Sequence, residues 1–379
     1  MNDESTGSLN NEANRRGRPW VAVDEARWND WHWQLRSRIT ELCELEQVVH
    51  LTEDERRACA VTSARFAWGA TPYYASLMSA DDPTCPIRRQ IIPSLAELAV
   101  GSAELCDPLA EDTHAPVQGL THRYPDRALL YVTHSCAAYC RHCNRKRKVG
   151  DPSSALNQSA LDAGLGYIRA HPELRDILVS GGDPLTLSDE RLEQLVRDLR
   201  AIPHVEIIRI ATRAPVTLPQ RITPALAAML RRYHPIYVNT HFNHPKECTT
   251  EAAQALRTLA DVGCVLGNQM VLLRGINDEL ETVRTLNRWL LTARCRPYYI
   301  FQADLVHGIG HFRTPLARGI ALIDGLRGWM SGLGVPHFVV DLPGGGGKVP
   351  LGPEYMRARD GKHVVLRNYA GDEFDYDDI

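Results

Sequence analysis

From Ala128 onward the chain alternates between two hydrophobic rhythms. Short β-rich runs occur at ALLYVT (128–133), DILVSG (176–181), VEIIRIAT (205–212), PIYVNTH (235–241), VLGNQMVLL (265–273) and RPYYIFQAD (296–304). Between them, over 158–171, 188–201, 223–233, 249–262 and 280–293, apolar residues recur every three or four positions. The first rhythm predicts strands and the second amphipathic helices. A seventh run, PHFVVDL (336–342), follows a helical pattern over 316–332. Repeated strand–helix units predict a parallel sheet rolled into a full or partial barrel. Ahead of this, Trp28 to about Ala70 has helical periodicity, with Thr52 placed as an N-cap before EDE. From Ala70 to Asp126 Pro and Gly are frequent, which predicts irregular chain with short helices.

A length of 379 residues accommodates one large α/β domain with added helices. The formal charge of −3 excludes a strongly basic nucleic-acid surface, and no apolar run is long enough to span a bilayer. Nucleic-acid and membrane partners are therefore not expected. Residues 1–24 are mostly polar and lack the apolar core of a signal peptide, so a disordered leader and a cytoplasmic protein are expected. Seven of the ten cysteines are scattered singly and three cluster, a distribution that fits a metal site better than a disulfide framework.

Nearly every predicted strand ends in a polar group. The cysteines follow the first, Gly182 and Asp183 the second, and Thr212 and Arg213 the third. Asn239 and His241, Gln269, Asp304, and Asp341 with Lys348 continue the series. In parallel α/β barrels the C-terminal strand ends form the active-site mouth, so these groups are expected to converge.

Cys136, Cys140 and Cys143 lie in SCAAYCRHCNRKR. Thiolates are soft ligands for iron–sulfur clusters or zinc. Three ligands to a four-iron cluster leave one iron open to a small molecule, whereas a zinc knuckle would have to recruit His142 from between two of the cysteines, a cramped arrangement. SGGDP (180–184) is an ordinary turn or a ligand-binding one. DLPGGGGKVP (341–350) fails as a phosphate-binding NTPase loop, because Leu342 and Val349 stand where Gly and Ser/Thr are required. Lys348 is then a surface lysine or a Schiff-base lysine for pyridoxal phosphate (PLP). Asp304 and Asp341 are separate caps or ion-pair partners, or a clamp for a cation. Arg145 is a surface charge in RKRK or a bidentate carboxylate binder.

Cys-x3-Cys-x2-Cys with His142 at the aromatic position resembles the radical S-adenosylmethionine (SAM) signature. PGGGGK, WNDWHWQ (28–34), LTHRYPDR (120–127), NTHFNHP (239–245), GNQMVLLRGIND (267–278) and HFRTP (311–315) resemble the lysine 2,3-aminomutase family within that superfamily. The resemblance runs from about Trp28 to Tyr369. It implies a partial (β/α)6-type TIM barrel over 121–304, an N-terminal helical region over 25–120, and a short C-terminal PLP-lysine and substrate region over 305–379. It implies a [4Fe–4S] cluster on the three cysteines and SAM contacts at His142, Ser180, Gly181, Gly182, Asp183, His241 and Gln269. Lys348 carries PLP in this reading, Tyr124 and Arg127 contact its ring and phosphate, Arg145 binds the substrate carboxylate, and Asp304 and Asp341 bind its distal cation.

The implied activity moves the α-amino group of a basic L-amino acid to the β-carbon. L-lysine is the expected substrate and L-arginine the alternative, because both acids of the lysine enzymes are present while Ala303 is small. A flavodoxin or ferredoxin as electron donor and a homo-oligomer are also expected. Tail zinc is not expected, since no cysteine follows Cys295 and Glu279 stands where the family draws another. A different radical SAM enzyme and a zinc-binding module remain as alternative readings.

Overall fold

A computed structural model describes residues 18–63, 65–151 and 156–379. The helical periodicity over Trp28–Ala70 folds as a series of short helices, including Trp31–Arg36, Leu42–Glu46 and Glu53–Thr62. The chain restarts each time at a capping side chain: Asp30 accepts from the His32 N–H and Thr52 from the Glu55 N–H. Residues 1–17 of the expected leader lie outside the described residues. The remainder of that stretch is seated on the helical region, with Trp20 buried 5.9 Å from Trp28 and Arg18 bonded to the carbonyls of Val48 and Met78.

One nine-stranded sheet follows, in which every strand neighbours the next in sequence. Its strands are β1 (Leu120–Tyr124), β2 (Arg127–Thr133), β3 (Asp176–Gly181), β4 (Ile207–Ala211), β5 (Ile236–Thr240), β6 (Val265–Leu272), β7 (Arg296–Gln302), β8 (His337–Leu342) and β9 (Gly347–Leu351). β2 to β8 pair in parallel, with β1 and β9 antiparallel at the two edges. Six of the crossover helices occupy the predicted stretches, at Gln158–Ala170, Asp189–Arg200, Pro224–Arg231, Thr250–Asp261, Leu280–Thr292 and Leu316–Leu326. Asn157, Ser188, Thr223 and Thr249 start the first four by accepting a backbone N–H in the first turn. Their apolar stripes, such as Leu192, Leu195, Val196 and Leu199, pack on Ile177, Val179, Ile208 and Ile210 of the sheet in one continuous core. None of the described helices is long and apolar enough to cross a membrane.

Three parts differ from the sequence reading. The helix expected over 316–332 stops at Leu326, and Gly328, at φ +80°, admits Tyr369 where a Cβ would come within 2.3 Å. β1 and β9 are unpredicted edge strands. A third unpredicted element is the antiparallel sheet of β10 (Met356–Asp360), β11 (His363–Arg367) and β12 (Glu373–Asp377), whose outer strands are exposed on both faces and so carry little alternation. The four residues 343–346 connect β8 to β9, a hairpin in which Asp341 pairs with Lys348. Gly344, Gly345 and Gly347 all take positive φ there, a turn that only glycine adopts freely.

Candidate active site

The C-terminal strand ends surround a cavity of about 470 Å³. It is lined by Tyr124, Arg127, the three cysteines with His142, Arg145, Ser180 to Asp183, Thr212, Arg213, His241, Gln269, Asp304, Asp341 and Lys348, whereas Asn239, also expected there, is buried outside this lining.

The cysteine loop is held from two sides. On one, Gly182 N–H donates to the Thr133 carbonyl at 2.6 Å and Asp183 N–H to the Ser135 carbonyl at 2.8 Å. A Cβ on Gly181 would lie 2.4 Å from the Thr133 oxygen, and one on Gly182 2.3 Å from the Ser135 oxygen. SGGDP is therefore the strip on which the cysteine loop rests, and both glycines are required by backbone approach. The Asp183 carboxylate turns inward, accepting from the Thr212 hydroxyl at 2.6 Å, the Arg213 N–H at 2.8 Å and the Leu185 N–H at 3.0 Å.

On the other side the buried Glu97 carboxylate accepts from Arg141 Nε at 2.9 Å and from Lys146 Nζ at 2.8 Å. Burial works against the Glu97 charge, but these two cations outweigh it and hold the carboxyl below its usual range. Burial brings Lys146 down to about 8, with Glu97 opposing. Glu97, 44 residues from Arg141, gave no signal in the sequence.

Two of the three thiols, Cys136 and Cys143, are poor acids as they stand. Burial pushes Cys136 well up, reinforced by Asp183 and the other two sulfurs, and burial together with Cys140 pushes Cys143 up to about 11. The sulfurs thus sense one another across the loop, and binding of cations is what would deprotonate them. Among the described residues no three His, Cys, Asp or Glu side chains gather around a point that would hold a single metal ion. Three soft donors spread around one cavity wall fit a multi-iron cluster. His142 is kept neutral by burial and by Arg213; its Nε2 lies 3.2 Å from the Asn243 amide, and its buried Nδ1 has no hydrogen-bond partner among the described residues. Burial and Arg213 bring His241 down to about 4.

Across the cavity, Lys348 Nζ lies 3.1 Å from Asp341 and 5.4 Å from the Phe301 ring centroid. Its backbone N–H donates to the Tyr124 hydroxyl at 2.9 Å, joining the two sheet edges that share no ladder. The Tyr124 ring sits beside Arg127 and Arg123, at 4.3 and 5.1 Å. A lysine amine, an aromatic face and two guanidinium groups suit a phosphorylated aromatic aldehyde. Asp304 accepts from the Asn144 amide at 2.8 Å, and burial, with Asp341 nearby, lifts its carboxyl to about 6. Arg145 is held by Glu111, which also accepts from the Tyr131 hydroxyl. Arg123, Asn144 and Glu111 were not found from sequence, because each acts through a side chain distant in the chain.

A model of the radical SAM superfamily matches residues 130–286, the stretch that holds the cysteine loop and most of the parallel strands. With this sheet and this loop, the class is that of a radical SAM enzyme. A second model, lysine-2,3-aminomutase, matches residues 323–378. L-lysine 2,3-aminomutases of Fusobacterium nucleatum and Clostridium subterminale are 50% and 51% identical, over 95% and 94% of this chain and 85% and 86% of theirs. The glutamate 2,3-aminomutase of Clostridioides difficile is 42% identical over 95% of this chain and 86% of its own. The chain belongs to the lysine 2,3-aminomutase family. Its cofactors are accordingly a [4Fe–4S] cluster, SAM and PLP.

Proposed function

We propose that this protein is a 2,3-aminomutase acting on L-lysine, moving its amino group from the α- to the β-carbon. The observation that carries the reading is the pair Asp304 and Asp341 in the same cavity as Lys348 and the three cysteines. Burial raises the Asp304 carboxyl and the nearby Asp341 charge adds to that rise, and a distal ammonium between the two carboxylates would offset both. When bound, the cluster and SAM supply a carbon-centred radical that takes a hydrogen atom from the substrate, while PLP carries the amino group in transit.

The chain's own residues have positional and electrostatic tasks. Cys136, Cys140 and Cys143 would hold the cluster, with an open iron position to bind SAM. His142, Ser180 to Asp183, His241 and Gln269 line the SAM side. Lys348 would bear PLP, with Tyr124 to hold its ring and Arg127 its phosphate. Asp341, 3.1 Å from Lys348 Nζ, would share its carboxylate between that amine and the substrate ammonium. Arg145 binds the substrate carboxylate, oriented by Glu111. The walls keep water from the reacting centre. We assign the barrel to 121–304 and the PLP-lysine and substrate region to 305–379, after a helical region over 25–120. A flavodoxin or ferredoxin as electron donor, a homo-oligomer and a cytoplasmic location complete the reading.

The test is an anaerobic assay of reconstituted enzyme with L-lysine, L-arginine, L-glutamate and L-alanine, with chiral analysis of products. β-Lysine as the main product is expected. β-Arginine as the main product would replace the substrate, and undiminished turnover by Cys140→Ala would overturn the cysteine assignment. Zinc without sulfide in the anaerobically purified protein would overturn the radical reading altogether.

A further inference from the structure

The guanidinium of Arg213, just past β4, is buried and uses all its nitrogens. Nη1 donates to the Cys140 sulfur at 2.7 Å. Nη2 faces the other way, to Glu247 at 2.7 Å, the Gln90 carbonyl at 2.7 Å and the Tyr74 hydroxyl at 2.9 Å, and Nε donates to the His241 carbonyl at 3.2 Å. Glu247 is itself fully buried and anchored by the Asn243 and His244 N–H groups. The ion pair is thus a fixed dipole with its cationic end against one sulfur and its anionic end turned away, toward the N-terminal helical region.

We propose that Arg213 is a positioning residue that raises the reduction potential of the iron–sulfur cluster through its hydrogen bond to Cys140. The inference rests on the reading of Cys140 as a cluster ligand. Adding one electron to a [4Fe–4S] cluster places more negative charge on its sulfurs, with no proton taken up. A donor and a permanent cation aimed at one sulfur stabilise that reduced form. Arginine suits the task because its charge cannot be titrated away and its planar fork is locked by the four contacts on the far side. A purely structural arginine would not need to direct a nitrogen at the thiol.

The experiment is a redox titration of the reconstituted cluster, followed by electron paramagnetic resonance, with a dithionite or titanium(III) reductant. Iron and sulfide content are measured alongside. Arg213→Gln is expected to load a cluster whose midpoint is more negative than that of the unaltered protein, and Arg213→Lys to lie between the two. Tyr74→Phe loosens the same hub without touching the sulfur and is expected to leave the midpoint in place. Should Arg213→Gln fail to load, Arg213→Lys against Tyr74→Phe decides: a shift in the first alone supports the proposal, and equal midpoints overturn it. A loaded Arg213→Gln with an unchanged midpoint also overturns it. Failure of the underlying reading looks different, because Cys140→Ala would then keep its full complement of iron and sulfide.

Discussion

Gly182→Ala tests how the cysteine loop is held. The added Cβ would stand 2.3 Å from the Ser135 carbonyl oxygen and 2.8 Å from the carbonyl carbons of His134 and Ser135. All three are backbone atoms, so no side chain can swing away. Ordinary contact lies near ~3.5 Å, so the loop must retreat by roughly an ångström. Forced insertion of this kind costs about 1–3 kcal/mol. The retreat falls on the residue before Cys136 and strains the hydrogen bonds from Gly182 and Asp183. A displacement of that size in a reacting geometry lowers rate by roughly 100-fold. Iron and sulfide per chain, SAM cleavage and thermal unfolding are measured together, and all three are expected to fall. Gly166→Ala is the control: it lies within the Gln158–Ala170 helix with no atom within 4 Å of its added Cβ, so it should be neutral or stabilise by up to about 1 kcal/mol. A Gly182→Ala protein with a full cluster and an unaltered rate would refute the argument.

Three further outcomes are expected. Asp304 rises to about 6 in the fold, against ~3.9 in an unfolded chain, so its ionisation opposes folding above that interval by roughly 3 kcal/mol. The penalty is absent below pH ~4 and complete above pH ~6, so Asp304→Asn should raise the melting temperature at pH 8 but not near pH 4, and KM for lysine in the unaltered enzyme should fall as pH rises through about 6; equal stabilisation at both pH values would refute the cause. Glu97→Gln leaves Arg141 and Lys146 buried without their carboxylate, which should cost about 3–5 kcal/mol and lower cluster content; unchanged thermal unfolding would refute it. Lys348→Ala should lose borohydride-reducible PLP absorbance while keeping iron and sulfide, and loss of both cofactors together would count against separate sites.

The barrel was legible because its strands and helices carry local signals. Runs such as DILVSG and VEIIRIAT alternate a buried apolar face, Ile177 and Val179 or Ile208 and Ile210, with a more polar one, and Asn157, Ser188, Thr223 and Thr249 announce helices where they occur. Convergence of the site was legible too, since residues at the ends of parallel strands share one rim. β1, β9 and the β10–β12 sheet were not, because edge and exposed strands lack the alternation that burial imposes. The helical stretch before Ala70 and its Thr52 cap were legible, while its division into short helices, one of them started at Asp30, was not.

By itself, the sequence determined the strand–helix order, the three-cysteine loop and the identity of the groups at the mouth. Those properties are local: each depends on side-chain period, spacing or ligand chemistry within a few residues. Only the tertiary structure decided why SGGDP needs its glycines, that Asp341 faces Lys348 across a hairpin, and that Glu97, Glu111 and Arg213 secure the working residues. Those facts depend on close approach between segments far apart in the chain. Buried charges need partners wherever the fold can bring them, and nothing in the spacing along the chain reveals which ones meet.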